Sequence, residues 1–405
     1  MNPNDLNAAQ RARCADGTAL AAALRDSRAH TLATFAAYES VLRDAGMAVP
    51  YSSEVNPPLW ELGHIGWFQD WWLSRNPQRT RGSAADPDVQ RAAPRRAGAD
   101  AWFDSGRVPH GDRWRLPLPA ADALRDDLAG GLNDSLALLR TSAQDDDALY
   151  FFRLALFHED MHHEAAVYMA QHLRVRLAGW SPRADAPAQQ QRIAACAHAM
   201  GSVAPGFAFD NELGSHAVAL ADFTIDSAPV TWARYLAFVE AGGYRRRECW
   251  SDDGWAWLQT RALECPRYLR ERGGIWQRET FGDWVDLDPA LPAMNLAAHE
   301  ADAYCRWAGR RLPSEGEWEC AAVQAGEAWS WGQVWEWTAS AFAPYPGFSA
   351  HPYRDYSQPW FHTRRVLRGA SFATHARMKH ARYRNFFPPE RNDIFAGFRT
   401  CALQG

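Results

Sequence analysis

Hydrophobic residues recur at three- and four-residue spacing from about residue 18 to residue 174 of the chain. This spacing is that of amphipathic helices, and it predicts four long ones, over residues 20–42, 59–73, 120–139 and 148–173. Four such helices in succession are typical of a four-helix bundle, because each can bury its apolar stripe against its neighbours. We therefore predict a helical bundle within residues 1–180.

The pattern changes after residue 180. Residues 181–197 are polar and contain Pro and several Gln, which is typical of a linker. Over residues 198–405, short hydrophobic runs alternate with Gly and Pro, and only residues 232–241 and 297–308 show a brief helical spacing. This pattern predicts a mixed, loop-rich second domain, so the predicted fold class is α+β.

Composition narrows the class of function. The chain has 405 residues, of which 47% are hydrophobic and 20 are Trp, and its formal net charge is −5 without a long Lys/Arg run. This balance argues against a nucleic-acid-binding surface. The sequence begins without a basic and apolar leader and has no run near the ~20 apolar residues that span a bilayer. We predict a cytoplasmic protein that acts on small molecules.

Two histidines four residues apart, His158 and His162, lie in the fourth predicted helix. One helical turn separates them, so both imidazoles can bind the same metal ion. A third ligand must come from elsewhere, and His64 lies among apolar residues of the second predicted helix, which can face the fourth in a bundle. We predict a metal site of His64, His158 and His162. Glu164 lies about 200° around the helix from His162 and is predicted to face away from the pair.

These histidines also support a resemblance to a known family. The His64 segment and the motif His158-x-x-x-His162-x-Glu164 resemble the DinB-like bundle of the ergothioneine-type sulfoxide synthases, which are non-haem iron(II) enzymes. The second half resembles the formylglycine-generating enzymes, whose domain is C-type-lectin-like. The segments that match lie at residues 207–213, 225–231, 235–244, 304–308, 311–319, 333–338 and 397–399. The chain is most similar to the selenoneine synthase branch of the family.

The resemblance implies an activity that spacing alone does not give, since three imidazoles suit zinc as well as iron. In the family, Fe(II) and O2 join a sulfur substrate to C2 of the imidazole of hercynine, the trimethylammonium betaine of histidine. Residues 351–357 resemble the family segment that has two tyrosines near the metal, which implies that Tyr353 is catalytic and that Tyr356 binds substrate. Arg81 follows the second predicted helix, where related synthases place an arginine that reaches the donor substrate.

Departures from the family's pattern predict the donor. Members that use a cysteine-derived donor have an acidic residue followed four positions later by Arg; here Arg391 is present, but the acidic position is Phe387, next to Phe386. An ammonium group would lack its partner there, whereas an aromatic face suits a sugar ring. We therefore predict a selenosugar donor, with a cysteine-derived thiol as the alternative. Met161 stands where the sulfur enzymes commonly have a Gln that helps to hold hercynine.

Two hypotheses from other classes remain open. A DinB-type thiol transferase could use a three-histidine metal to activate a thiol without O2. A non-enzymatic binding protein could use the lectin-like half to recognise a ligand, since a fold does not establish catalysis. Trp335 and Trp337 match the core signature of the second domain, and we assign both to structure.

Overall fold

The computed structural model describes residues 3–324, 326 and 329–403. Its first half contains the four predicted long helices, which are α2, α3, α5 and α6, so that prediction is confirmed. The helices of this half are α1 Pro3–Arg13, α2 Gly17–Leu42, α3 Pro58–Gln69, α4 Ala99–Phe103, α5 Ala121–Thr141 and α6 Asp146–Leu173. The domain limits stay a prediction, and their outermost residues, 1–2 and 404–405, lie outside the described residues.

Side-chain caps mark the start of the two longest helices. Asp16 accepts a hydrogen bond from the backbone N–H of Ala19 at the start of α2 (2.9 Å), and Asp145 does the same for Ala148 at the start of α6 (2.8 Å). These bonds satisfy backbone donors that have no partner within the helix. The sequence predicted the start of α2 three residues too late and that of α6 two residues too late, because the apolar spacing begins only inside the first turn of each helix.

One buried guanidinium connects all four helices of the bundle. Arg28 of α2 donates to Glu159 of α6 (2.7 Å) and to Gln69 of α3 (2.8 Å), and it also binds the backbone carbonyl of Leu128 in α5. A buried charge is tolerated only when it is paired and its donors are satisfied, and Arg28 meets both conditions. The polar contact therefore fixes how the four helices pack in the interior.

The described residues of the second half form short strands, four short α-helices and several 3-10 turns. Its helices are α7 Trp232–Glu240, α8 Asp252–Arg261, α9 Ala298–Trp307 and α10 Glu315–Gln324. The brief helical spacing predicted α7 and α9, which are confirmed, but it did not predict α8 and α10. Among the described residues, no helix is both long enough and apolar enough to cross a membrane.

The strands form two four-stranded sheets and two smaller ones. The strands are β1 Gln190–Ile193, β2 Cys196–Met200, β3 His216–Leu220, β4 Phe223–Asp226, β5 Leu269–Arg272, β6 Ile275–Thr280, β7 Asp283–Asp286, β8 Arg310–Arg311, β9 Trp335–Ala341, β10 Arg365–Gly369, β11 Asn385–Phe387, β12 Ala396–Gly397 and β13 Cys401–Ala402. The four-stranded sheets have the orders β1-β4-β13-β8 and β11-β10-β9-β12. All pairings are antiparallel except β12 with β9. The predicted α+β class is confirmed.

Strand β1 lies inside the stretch that the sequence indicates as a linker. Its residues pair with β4 in antiparallel register, with Gln190 opposite Asp226 and Ile193 opposite Phe223. The sequence did not predict this strand, because β1 is at the edge of its sheet, Ile193 is its one buried residue, and its other residues are polar.

The second half packs along α6 of the bundle. Arg377 forms two hydrogen bonds with the buried carboxylate of Asp160 (2.6 and 2.9 Å), and the backbone N–H of Phe281 donates to the side chain of Gln171 (2.8 Å). The helix is therefore enclosed on one side by the bundle and on the other by the lectin-like half. This arrangement places the histidines of α6 at the boundary between the two halves.

Candidate metal centre and substrate cavity

The three predicted metal ligands lie together in the interior of the bundle. His64 is on α3, and His158 and His162 lie one turn apart on α6. Their ring centroids are 4.4 to 5.1 Å apart, and one nitrogen of each ring lies within 4.8 Å of the other two. Imidazole nitrogens bind a divalent metal at about 2.0–2.1 Å. The three residues can therefore hold one ion.

Hydrogen bonds orient two of the rings. His64 Nδ1 donates to the backbone carbonyl of Phe103 (2.7 Å), and His162 Nδ1 donates to the carboxylate of Glu61 (2.5 Å). Both bonds leave the Nε2 atom of each ring free for a metal, which is the usual arrangement of metal-binding histidines. His158 Nε2 is buried and has no hydrogen-bond partner among the residues described. A buried nitrogen without a partner is costly unless a metal binds it.

Burial also favours the neutral form of the ligands. Burial lowers the pKa of His64 to about 3, with a further contribution from the nearby His162. The pKa of His158 lies well below its ordinary value for the same reasons. Burial alone would raise the pKa of Glu61, but its interactions with His162 lower it to about 2. At neutral pH the imidazoles of His64 and His158 are therefore neutral, as metal binding requires, and the carboxylate of Glu61 is ionised.

The close packing of α3 against the α4 segment fixes the position of His64. A Cβ atom at Gly63 would lie 2.2 Å from the ring of Phe103, so only glycine allows this approach. The approach brings the carbonyl of Phe103 within reach of His64 Nδ1. Aromatic rings complete the surroundings, because Trp60 stacks on His64 at 4.7 Å and Phe68 stacks on His158 at 3.5 Å between centroids.

The metal ligands open onto a cavity of about 550 Å³ between the two halves. His158 and His162 are part of its wall, whereas His64 is only 2% exposed and lies behind them. The other side chains of the wall that matter for chemistry are Arg113, Met161, Glu164, Tyr168, Trp335, Tyr353, Tyr356, Tyr383, Asn385, Phe386, Phe387 and Phe395. A metal held by the three histidines would face this cavity, which has room for two small substrates.

The two predicted tyrosines lie in the cavity wall. The ring of Tyr353 is 6.0 Å from that of His158, and burial raises its pKa, so its hydroxyl stays protonated at neutral pH. The hydroxyl of Tyr356 lies 3.7 Å from the sulfur of Met161 and 3.3 Å from the hydroxyl of Tyr383. Tyr353 is therefore beside the metal site, and Tyr356 and Met161 adjoin each other farther along the wall.

Glu164 is not in the cluster of three histidines, from which the helical wheel predicts it to face away, but it lines the same cavity as His158 and His162. Its carboxylate lines the cavity and accepts hydrogen bonds from Trp335 Nε1 (2.7 Å), Ser371 Oγ (2.5 Å) and Thr374 Oγ1 (2.8 Å). Burial raises its pKa, although the three donors oppose this shift. The helical wheel assumes that α6 has one buried face. In the structure the lectin-like half covers the other face of α6, and the cavity extends around the helix to Glu164.

The predicted donor residues divide into two groups. Phe386 and Phe387 line the cavity. Arg391 is outside the lining, because Asp393 holds its guanidinium with two hydrogen bonds (2.5 and 2.7 Å) and the group lies 5.1 Å from the ring of Phe387. Arg81 is exposed in a short 3-10 helix, where it contacts Gln78, and it is also outside the lining.

Several residues of the site were not found from the sequence. Glu61 could have been, because it precedes His64 by three residues and a Glu-x-x-His pair on one helix is typical of metal sites in bundles. Trp335 was assigned to the core, and it is buried, but its indole N–H binds Glu164 in the cavity wall. Arg113 has no local signal, since it lies in a loop and reaches the cavity by stacking on Trp60 at 3.8 Å.

Comparisons with known proteins match both halves. The family model for the sulfatase-modifying factor enzyme 1-like domain matches residues 181–333 and 329–403, so the second half has this fold. The hercynine oxygenase of Mycolicibacterium thermoresistibile is 30% identical, and the alignment covers 88% of this chain and 90% of that protein. The hercynine oxygenase of Mycobacterium tuberculosis is 29% identical with 88% and 93% coverage. The formylglycine-generating enzyme of Streptomyces coelicolor is 28% identical and covers 46% of this chain and 79% of its own length.

Proposed function

The chain belongs to the family of the hercynine oxygenases, which are ergothioneine-type oxidative enzymes, and we propose that it oxidatively joins hercynine to a chalcogen donor at a three-histidine iron(II) centre. The observation on which the proposal rests most is the Nε2 atom of His158, which is buried next to two other imidazoles at the wall of the cavity and has no hydrogen-bond partner among the described residues. A binding protein has no need of such an atom, whereas a metal-dependent oxygenase does.

Iron(II) is the proposed metal, held by His64, His158 and His162. Three neutral ligands leave the charge of the ion undiminished and leave coordination positions open, and a bound iron(II) would activate O2 there. Glu61 would keep His162 in the tautomer that presents Nε2. The aromatic rings of Trp60 and Phe68 would keep water away from the ligand side.

Hercynine is proposed to lie with its imidazole toward His158 and His162 and its trimethylammonium group toward Glu164. A quaternary ammonium has no N–H to donate, so a protein binds it with aromatic faces and nearby negative charge. The rings of Trp335, Tyr168 and Tyr383 line the cavity with the buried carboxylate of Glu164. The pairing of charge with aromatic rings fits a betaine better than it fits an ordinary amino acid, whose ammonium needs several acceptors.

The proposed reaction removes one hydrogen from C2 of the imidazole and one from the donor, and O2 takes four electrons. One oxygen atom becomes the sulfoxide (or selenoxide) oxygen and the other leaves as water, while a C–S (or C–Se) bond forms. Tyr353 is proposed as the proton donor to reduced oxygen, because it lies beside His158 and keeps its proton at neutral pH.

A cysteine-derived thiol is the proposed donor, since the relatives that cover the chain are the hercynine oxygenases. One observation favours the selenosugar as a second candidate. Phe387 lines the cavity where an acidic residue would be needed for an amino group, and Arg391 is already occupied by Asp393. An apolar wall of Phe386 and Phe387 suits the C–H face of a sugar ring.

The test supplies the anaerobically iron-loaded protein with hercynine and one donor at a time, admits air, and identifies products by mass. We expect a product that contains both substrates, with one O2 consumed for each molecule formed, and no product from the His158→Ala variant. Transfer of the thiol to an added electrophile such as an epoxide, without O2 uptake and without change to hercynine, would instead establish a thiol transferase. Hercynine binding without any product from either donor would establish a binding protein.

The amounts of product formed from the thiol and from the selenosugar decide between the two candidate donors. Turnover of the cysteine-type thiol alone supports the proposed donor, and turnover of the selenosugar alone supports the second candidate. Iron-free protein in the same mixtures serves as the matched control, because any product formed there arises from reaction between hercynine and the donor in solution.

A further inference from the structure

A second group of metal-binding side chains lies outside the cavity, where the bundle meets the lectin-like half. Asp26 and His30 lie one turn apart on α2, and His375 lies in the loop that follows β10. His375 Nε2 is 3.3 Å from Asp26 Oδ2, and His30 Nδ1 is 3.7 Å from the same oxygen. One ligand atom of each residue lies within 4.8 Å of the other two.

These separations fit a tetrahedral zinc site. Zinc binds imidazole nitrogen and carboxylate oxygen at about 2.0–2.2 Å, so neighbouring ligand atoms around it are roughly 3.3 Å apart. Two imidazoles and one carboxylate are a common ligand set for zinc, with water completing the coordination. The cluster therefore needs only small side-chain adjustments to hold an ion.

The unpaired nitrogen of His30 is an independent observation. His30 Nδ1 is buried, faces the cluster and makes no hydrogen bond within the part of the chain that the structure describes. The side chains of Asp26, His30 and His375 are nevertheless 49%, 44% and 23% exposed, so an ion and its remaining water ligands can reach them from solvent. The site is thus accessible, and one of its ligand atoms makes no hydrogen bond within the described residues.

Arg377 already pairs with the carboxylate of Asp26, so a metal ion at this site must displace it. Its Nη1 atom lies 2.8 Å from Asp26 Oδ2. The same guanidinium forms two hydrogen bonds with the buried Asp160, at 2.6 and 2.9 Å. A metal that takes Asp26 therefore leaves Arg377 paired, and the cost of a buried unpaired charge does not arise.

We propose that Asp26, His30 and His375 form a second metal site, which binds Zn²⁺ and links α2 to the lectin-like half. The ion takes no part in the oxidation, because its ligands do not line the substrate cavity. It stabilises the contact between the halves, since an ion that binds only the folded chain shifts the unfolding equilibrium toward the folded state.

The test measures zinc stoichiometry on full-length protein without a histidine tag. In equilibrium dialysis, we expect two zinc ions per chain for the wild type, because zinc also fills the three-histidine site, and one for His30→Ala and for His375→Ala. His216→Ala is the matched control, since this histidine lies outside both clusters, contacts the carbonyl of Gly214 and the ring of Tyr345, and should leave two zinc ions bound when replaced. A wild type that binds one zinc, or variants that keep two, overturns the proposal.

A more conservative variant, Asp26→Asn, and a spectroscopic measurement distinguish loss of the metal site from a folding defect. The variant preserves the size of the side chain, and Asp160 still pairs with Arg377, so the metal-free protein should unfold at the wild-type temperature. Zinc should raise the unfolding temperature of the wild type more than that of Asp26→Asn. Co²⁺ added after the three-histidine site is filled should give the absorption of a tetrahedral site in the wild type only. Equal zinc shifts, or the same cobalt spectrum in both proteins, count against the site.

Discussion

Replacing Glu164 by glutamine tests the proposed position of hercynine most directly. The change removes the negative charge from the cavity wall but keeps a carbonyl oxygen that can accept the indole N–H of Trp335. The hydroxyl of Ser371 can go on donating to the same oxygen, and the hydroxyl of Thr374 can turn to accept from the new amide. The variant therefore alters the charge of the subsite with little change in its shape.

The expected magnitude follows from the burial of the carboxylate. Two opposite charges about 4.5 Å apart attract by roughly 4 kcal/mol at an effective dielectric constant near 20. Removing the ammonium from water offsets part of this attraction, whereas Glu164 is already desolvated in the free protein. A net loss of about 2 kcal/mol remains, which corresponds to roughly 30-fold weaker binding.

The assay is calorimetric titration of hercynine into the anaerobic, iron-loaded variant. The control ligand is 3-(imidazol-4-yl)propionate, which has the imidazole and carboxylate but no ammonium, and its affinity should not fall. The control variant is Glu300→Gln, which changes a buried carboxylate in the second half that binds Tyr244 and lies outside the cavity. Equal losses for both ligands, or no loss for hercynine, would refute the position given to the trimethylammonium group.

Three further predictions concern the metal, the proton donor and the second substrate. Glu61→Gln should weaken iron binding about 10- to 100-fold in competition with a chelator, because His162 loses its charged partner; unchanged affinity would rule out that role. Tyr353→Phe should lower the rate of product formation about 10²- to 10⁴-fold while hercynine affinity stays the same, and a wild-type rate in stopped-flow would exclude proton donation by this residue. Phe387→Asp should shift donor preference toward the cysteine-type thiol in competition assays, and an unaltered ratio of products would show that the ring does not select the donor.

The sequence contained enough information for the bundle and for its cluster of three histidines, because both depend on local periodicity. Apolar spacing marks α2, α3, α5 and α6, and His158 with His162 repeats at one helical turn. His64 could be added since it lies among buried positions of a facing helix. The second half was harder, because its short strands pair over long distances and leave little periodic signal in any one segment.

The cavity wall could be predicted only where a family motif marked it. Tyr353, Tyr356, Phe386 and Phe387 come from segments with such motifs. The position of Glu164 depends instead on which surface covers α6, and no local pattern contains that information. For the same reason the separation of Arg391 from the cavity was not foreseen, since its partner Asp393 competes with any substrate.

The two halves of the chain meet along α6, and this seam constrains how the enzyme can be divided or recombined. Asp160 and Glu164 lie on the bundle side of the seam, while Arg377, Trp335 and Ser371 satisfy them from the lectin-like side. A chain cut within residues 181–189 would give an N-terminal fragment in which Glu164 lacks its three donors, Asp160 loses Arg377 and keeps the hydrogen bond from Ser27, and part of the cavity wall is missing. A chimaera with the C-terminal half of a relative would fold only if that half supplied hydrogen-bond donors to Asp160 and Glu164. The two halves therefore need to be kept or exchanged together.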